Sequence, residues 1–190
     1  MTKRHPITRR HIAIHEAGHA VIGRVVTMLC GGASIVADED SAGHSITADP
    51  YAVMMKWEER EKWRGPASVW RGHIICTAAG AEAENEIMGD HLGGDGDDRY
   101  QIALMLGAIA DEGDHDRLES RLRRFARQLV RKHRADIEKV ADALEGHGTL
   151  TADEIDALLP PTFMSRPVTW ALALADAADD ESPESLAPQR

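Results

Sequence analysis

Five consecutive residues, His15 to His19 with the sequence HEAGH, constrain this chain more than any other feature. They have the form HExxH and lie within an amphipathic segment that runs from Ile7 to Leu29. On a helix, residues four apart lie on the same face, so both imidazoles can bind one metal ion. The glutamate between them reaches a water molecule on that metal. The segment therefore predicts a helix that carries a catalytic zinc site.

The chemistry of hydrolysis explains the spacing of the motif. Neutral imidazoles of His15 and His19 supply two of the three protein ligands of a catalytic zinc ion, and the fourth position stays open to water. The metal lowers the pKa of that water towards neutrality, and Glu16 takes its proton as general base and returns it to the leaving amine. These residues predict a zinc metallopeptidase, provided that a third ligand exists.

The surroundings of the motif favour this interpretation over a chance match. The chain has ten histidines, so an accidental HExxH is the alternative. However, Ile12, Ile22 and Val26 share a stripe with the two histidines, which predicts that the pair lies on the buried face of the helix. Gly18 would let another element approach closely. An accidental match would seldom fall on such a face.

Composition limits the size and the partners of the protein. With 190 residues, 43% of them hydrophobic, the chain can bury one good core, and we predict one domain over residues 1–160 followed by a tail over 161–190. The tail begins with helical potential and ends in an acidic run that we expect to be disordered. A net charge of -10 disfavours nucleic acid and anionic membrane surfaces as partners.

The sequence also predicts where the protein is located and what its two cysteines do. Every apolar stretch is too short to span a membrane, and residues 1–10 lack the apolar core of a signal peptide, so we expect a cytoplasmic protein. Cys30 and Cys76 have neither CxxC spacing nor other partners. They are predicted to be small core residues and not a disulfide framework or a cysteine-rich zinc site.

The rest of the pattern predicts a mainly α fold with a small β-hairpin or sheet. The motif helix is expected to end near residues 30–32, where paired glycines open a turn. A hairpin follows over residues 34–37 and 44–47. Further helices are predicted over 68–88, around Ile102, Leu106 and Ile109, over 116–145, and from a capping box at Thr151 and Glu154 to Leu159.

The third zinc ligand is sought in the acidic, glycine-rich loop over residues 90–98. The candidates are Asp95, Asp97 and Asp98, followed by His91, Glu84 and Glu58. Asp98 shares a helix face with Ile102 and Leu106, which points into the core where the two histidines must lie, whereas Asp97 is rotated from it by about 100°. One acid can cap the helix while its neighbour binds the metal. The spacing favours Asp98 and leaves Asp97 and Asp95 open.

Several segments resemble one family. Residues 12–21, IAIHEAGHAV, resemble the active-site helix of the FtsH-type zinc metallopeptidases (peptidase family M41), whose usual form is close to HEAGHAV. Residues 79–84 with Gly89 are similar to the family's GGRAAEE…FG helix, and residues 94–98 to its TGASND segment. The stretch over residues 129–159 is similar to its closing ETL…EEI pattern. The resemblance covers roughly residues 8–160, and the HEAGH segment is its specific part.

The resemblance implies a mostly helical peptidase domain with a zincin-like HExxH helix and a small sheet. It implies a zinc ion bound by His15, His19 and Asp98, with Glu16 as the base, and so it selects Asp98 independently. Family members couple this domain to an AAA ATPase and to membrane helices. This chain has neither a GxxxxGK phosphate-binding loop nor a spanning segment, so we expect hydrolysis without ATP.

The sequence therefore predicts a zinc-dependent endopeptidase that cleaves flexible or unfolded polypeptides by metal-activated water. One alternative is a regulatory peptidase specific for a single protein, and another is a non-catalytic zinc-binding adaptor that keeps the fold. The expected partner is a protein or peptide substrate. A homo-oligomer, and a separate ATPase or adaptor that delivers substrates, stay open as further partners.

Overall fold

A computed structural model describes residues 7–28, 30–37, 43–47, 53, 55 and 66–161. These residues form a mainly helical fold with a small three-stranded antiparallel sheet, as the sequence pattern predicts. The helices are α1 (Arg9–Val25), α2 (Pro66–Ala83), α3 (Gly96–Ile109), α4 (His115–Lys132), α5 (Arg134–His147) and α6 (Ala152–Leu158). The strands are β1 (Cys30–Ser34), β2 (His44–Thr47) and β3 (Thr149–Leu150). A π-helical turn, Glu84–Met88, follows α2, and a 3-10 turn, Glu112–Asp114, precedes α4.

The motif helix α1 lies at the centre of the fold. Thr8 caps its first turn by accepting a hydrogen bond from the backbone N–H of His11 at 3.3 Å. The helix packs mainly against α2 and α5 and is buried along most of its length. A Cβ on Gly18 would lie 2.7 Å from the carbonyl oxygen of Ala79 and 2.9 Å from the Cβ of Ala83. The predicted close approach at Gly18 is therefore made by α2.

The end of α1 differs from the prediction. The helix ends at Val25, and Thr27 takes a left-handed conformation with φ 62°, so the turn begins before the paired glycines. Gly31 and Gly32 lie inside β1 instead. A Cβ on Gly32 would collide with the carbonyl oxygen of Leu150 in β3. The glycines thus permit strands to approach closely and do not stop the helix.

The sheet has the strand order β2-β1-β3, and both pairings are antiparallel. In the hairpin Ser34 pairs with His44, and on the other side of β1 the same residue pairs with Thr149. The predicted hairpin is confirmed, but its first strand spans residues 30–34 and not 34–37. Among the strands that the structure describes, β2 lies at one edge of the sheet.

The single long helix predicted over residues 116–145 is two helices. The helix is interrupted at His133, where φ is -108° and ψ is 21°. The His133 ring is buried, and its Nδ1 lies 3.2 Å from Oδ2 of Asp136. The break lets α4 pack against α2 while α5 packs against α1. One straight helix could not cover both partners.

The arginines on the basic face of α4 form ion pairs with α2 and with the π-helical turn that follows it. Arg127 donates from Nε to Oε2 of Glu82 at 2.8 Å, and Arg131 donates from Nε to Oε2 of Glu86 at 2.6 Å. Glu82 is buried, so its charge needs this partner. The arginines therefore fix the register of α4 against α2.

The capping box at the start of α6 is confirmed. The hydroxyl of Thr151 accepts from the backbone N–H of Glu154 at 3.3 Å, and the Glu154 carboxylate accepts from the backbone N–H of Thr151 at 2.8 Å. The described residues end at residue 161, so the rest of the predicted tail lies outside them. Across the described ranges, none of the helices combines the length and the apolar character needed to cross a membrane.

Candidate metal centre

Two helices bring the predicted ligands together. His15 and His19 lie one turn apart on α1, and their rings stand edge to face with centroids 4.7 Å apart. Asp98, in the first turn of α3, places Oδ2 at 3.1 Å from Nε2 of His15 and 3.2 Å from Nε2 of His19. One ligand atom from each of the three lies within 4.8 Å of the others. The side chains thus converge on a single point.

The other candidates for the third ligand lie elsewhere. Asp95 is the N-cap residue of α3, and its Oδ1 is 3.7 Å from Nε2 of His91. Asp97 is exposed at the rim of the cleft. Asp95 makes no side-chain capping hydrogen bond at the start of α3, and Asp97 lies with Asp98 in the first turn of the helix. Glu58 lies outside the described residues.

Glu84 and Cys76 contact the Nδ1 atoms of the two imidazoles, on the side away from Asp98. Oε1 of Glu84 accepts a hydrogen bond from Nδ1 of His15 at 2.6 Å, and the carbonyl oxygen of Cys76 accepts one from Nδ1 of His19 at 2.9 Å. These contacts leave the Nε2 atoms of both rings facing Asp98. Metal-binding histidines show the same pattern of outer partners. Glu84 is therefore placed as an orienting group and not as the third ligand.

Gly80 forms the wall opposite the imidazoles. A Cβ at this position of α2 would lie 2.5 Å from Nε2 of His19 and 2.6 Å from Nε2 of His15. Any side chain would occupy the space in front of both nitrogens. The sequence signal is a glycine inside a helix, where it costs about 1 kcal/mol relative to alanine.

Glu16 is a buried carboxylate, with 6% of its surface exposed. Burial raises the pKa of Glu16, and the positive charges of His19 and His15 partly offset this effect. A carboxylate with a raised pKa accepts a proton more readily than an ordinary carboxylate. The structure thus places the predicted base next to the cluster.

The charges of the cluster are strongly coupled. Burial lowers the pKa of His15, but hydrogen bonds to Asp98 and Glu84 outweigh burial and raise it to about 10. Burial disfavours the charged form of Asp98, yet the positive charges of His19 and His15 hold the pKa of that carboxyl well below its usual range. The buried His19 likewise has a raised pKa because of Asp98. The carboxylates around the two imidazoles thus favour positive charge on the rings.

The three side chains could hold a metal ion, and their donor atoms are compatible with zinc. Two imidazole nitrogens and one carboxylate oxygen make a three-ligand set typical of catalytic zinc, which keeps a position open for water. The Nε2 atoms face the glycine-walled space described above, so no side chain of α2 blocks a metal there.

The cluster opens into a cleft of about 780 Å³. This volume lies within the range of pockets that bind small molecules or short peptide segments. The edge strand β2 contributes one wall through His44, Ser45 and Thr47, and α2 contributes His73 and Thr77. The site is therefore accessible from outside along an edge of the sheet.

No protein-family model and no curated protein matches this chain.

Proposed function

We propose that this protein is a zinc-dependent metalloendopeptidase that hydrolyses peptide bonds in flexible or unfolded polypeptides. The observation that carries the proposal is the convergence of His15, His19 and Asp98 beside the buried carboxylate of Glu16, at the floor of an open cleft. The resemblance of residues 12–21 to the FtsH-type active-site helix supports the same chemistry.

The residues of the chain have distinct tasks in this mechanism. Nε2 of His15, Nε2 of His19 and the carboxylate of Asp98 would hold zinc, and Glu84 and the Cys76 carbonyl fix the two rings. When bound, zinc would lower the pKa of a water molecule and polarise the scissile carbonyl. Glu16 accepts the proton of the attacking water and returns it to the leaving amine nitrogen.

The substrate class follows from the edge strand. An extended peptide can add to an exposed sheet edge through backbone hydrogen bonds, and β2 lies both at an edge and along the cleft. A folded substrate has few segments free to adopt this form. We therefore propose unstructured polypeptides as substrates. We further propose that hydrolysis needs no ATP, that neither nucleic acid nor membranes are partners, and that the protein acts in the cytoplasm.

The test compares the purified chain with the Glu16→Gln variant on an unfolded protein such as casein. We expect both proteins to carry one zinc per chain by elemental analysis, because glutamine keeps the size of the side chain. Peptide-bond hydrolysis should fall by roughly 10²-fold or more, because the amide cannot accept the proton. ATP should leave the rate unchanged. Glu86→Gln, which alters an exposed ion pair with Arg131, is the matched control and should keep full activity.

Three other outcomes separate the alternatives. Equal activity of wild type and Glu16→Gln would contradict the assigned mechanism. Zinc binding with cleavage of a single partner, but not of casein, would favour a regulatory peptidase. Zinc binding without hydrolysis of any substrate would favour a non-catalytic adaptor.

A further inference from the structure

The two cysteines of the chain meet beneath the metal centre. Cys30 opens β1 and Cys76 lies in α2, and both sulfur atoms approach Gly23 of α1. A Cβ on Gly23 would lie 2.9 Å from Sγ of Cys76 and would collide with Sγ of Cys30. The missing side chain of Gly23 thus opens one space that both thiols share. Both cysteines are free.

The surroundings hold the thiols side by side. Thr47 is the cross-strand partner of Cys30, and its hydroxyl oxygen lies 3.7 Å from Sγ of Cys76. The two thiols are within hydrogen-bonding reach of each other. Four elements, α1, α2, β1 and β2, therefore meet at this pair, and its proximity follows from the packing of α1 against β1 and α2.

The two thiols differ in accessibility. Cys30 is partly exposed, whereas only 1% of the Cys76 surface is exposed. Cys30 is thus the member of the pair nearer to solvent, although its thiol is largely covered. This asymmetry is typical of a pair in which one cysteine reacts with peroxide and the other resolves the product.

Cys76 also touches a residue of the metal centre. Its carbonyl oxygen accepts the hydrogen bond from Nδ1 of His19 at 2.9 Å, and its thiol donates to the carbonyl oxygen of His19 at 3.5 Å. His19 and Gly23 lie one turn apart on the same face of α1. A movement of Cys76 is therefore transmitted to the outer nitrogen of His19.

We propose that Cys30 and Cys76 form a reversible redox pair that a hydroperoxide converts into a disulfide. The Cys30 sulfur attacks the peroxide, the O–O bond breaks, and Cys30 sulfenic acid and one water (or alcohol) form. The Cys76 sulfur then displaces the hydroxyl from Cys30, and a second water leaves as the S–S bond forms. The two thiols together lose two electrons, which reduce the peroxide, and a dithiol reductant reverses the change.

Closure of the bond affects the metal centre. An S–S bond of about 2.05 Å is much shorter than a contact between two thiols, so the two sulfur atoms must approach each other. The oxidised Cys76 also loses the thiol proton that it donates to the carbonyl oxygen of His19, and we expect this change to weaken the neighbouring hydrogen bond from Nδ1 of His19. Loss of such an outer partner lowers metal affinity by roughly 10- to 100-fold. This consequence rests on the proposed zinc site, whereas formation of the disulfide does not.

Intact mass spectrometry of the folded full-length chain tests the proposal. After brief treatment with hydrogen peroxide and alkylation under denaturing conditions, we expect a monomer that is 2 Da lighter and takes up no alkyl group. Dithiothreitol should restore two alkylatable thiols. In Cys76→Ser a Cys30 sulfenic acid should accumulate and react with dimedone, and in Cys30→Ser dimedone labelling should stay near background because Cys76 is buried.

Other outcomes overturn the proposal. Two alkylatable thiols after peroxide treatment of the wild type would do so, as would a disulfide between two copies of the chain. The effect on the metal is measured separately, by chelator competition for zinc with reduced and oxidised protein. Unchanged affinity after disulfide formation would overturn the link to His19, and failure of the reduced protein to bind zinc would overturn the proposed function alone.

Discussion

Asp97 and Asp98 are neighbours in the first turn of α3 but have different surroundings. Asp98 contacts both imidazoles of the cluster, whereas Asp97 is exposed. The helix period explains the difference, because consecutive residues lie about 100° apart around the axis. This part of the site could be predicted from sequence, since Asp98 continues the buried stripe of Ile102 and Leu106.

The two aspartates give a matched pair of variants. Asp98→Ala should reduce zinc affinity by more than the roughly 10- to 100-fold typical of an outer partner, because a ligand atom is lost. Asp97→Ala should keep stoichiometric zinc and lose at most about 1 kcal/mol of stability, the interaction of an acid with a helix N-terminus. Chelator competition and urea denaturation measure the two effects. Retention of zinc by Asp98→Ala with loss of zinc by Asp97→Ala would exchange their roles.

Glu84 and Gly80 show what the sequence could not reveal about the site. Both lie on the stretch from α2 into the π turn, and their roles depend on how α2 is positioned against α1. That register is set by tertiary packing at Gly18, which no local pattern encodes. Glu84 could be recognised from sequence as a nearby acid, but not as the partner of Nδ1 of His15.

The role of Glu84 predicts a graded loss of zinc affinity. Glu84→Gln keeps the size of the side chain but removes the charge that holds the Nδ1–H of His15, so zinc affinity should fall by roughly 10- to 100-fold while the fold persists. Chelator competition measures the affinity, and circular dichroism checks the fold. Glu82→Gln is a useful comparison, because Glu82 is equally buried but faces Arg127. Equal zinc affinities in the two variants would contradict an orienting role for Glu84.

The sequence pattern predicts which segments are helical better than it predicts where each helix begins and ends. The periodic apolar positions identify α1, α2 and α3, because each buries one face whatever its exact ends. The break at His133 and the end of α1 at Val25 depend instead on which partner each segment covers. Likewise, β3 has only two residues, and its pairing with β1 depends on the close approach at Gly32.

The contact of α1 with α2 at Gly18 predicts a large effect of one methyl group. Gly18→Ala should destabilise the protein by about 1–3 kcal/mol, because the new Cβ meets backbone of α2 that cannot move without separating the helices. Gly107→Ala is the matched control, since this exposed position of α3 has nothing within 4 Å and alanine favours a helix by roughly 0.5–1 kcal/mol. Urea denaturation of both variants measures the difference. Similar stabilities of the two variants would contradict the tight packing of α1 on α2.

At the scale of the whole molecule, the cluster of His15, His19 and Asp98 connects parts of the fold that otherwise share few contacts. α3 packs chiefly against α2 and α4, and Asp98 joins it to His15 and His19 on α1. A metal ion at this point would therefore tie the start of α3 to the central helix. The metal should therefore stabilise the start of α3 most, because Asp98 is the main connection between this segment and α1.

Removal of the metal tests this arrangement in the intact chain. A ligand present at about 1,000 times its Kd stabilises a folded protein by about 4 kcal/mol. Each kcal/mol shifts the Tm of a protein of 150–250 residues by roughly 2–4 °C. Chelation should therefore lower the Tm by roughly 10 °C, and hydrogen exchange should accelerate at the start of α3 more than in the centre of α1. Asp98→Ala should show neither response to chelator. A chelator effect of the same size in Asp98→Ala would place the stabilising metal at a different site.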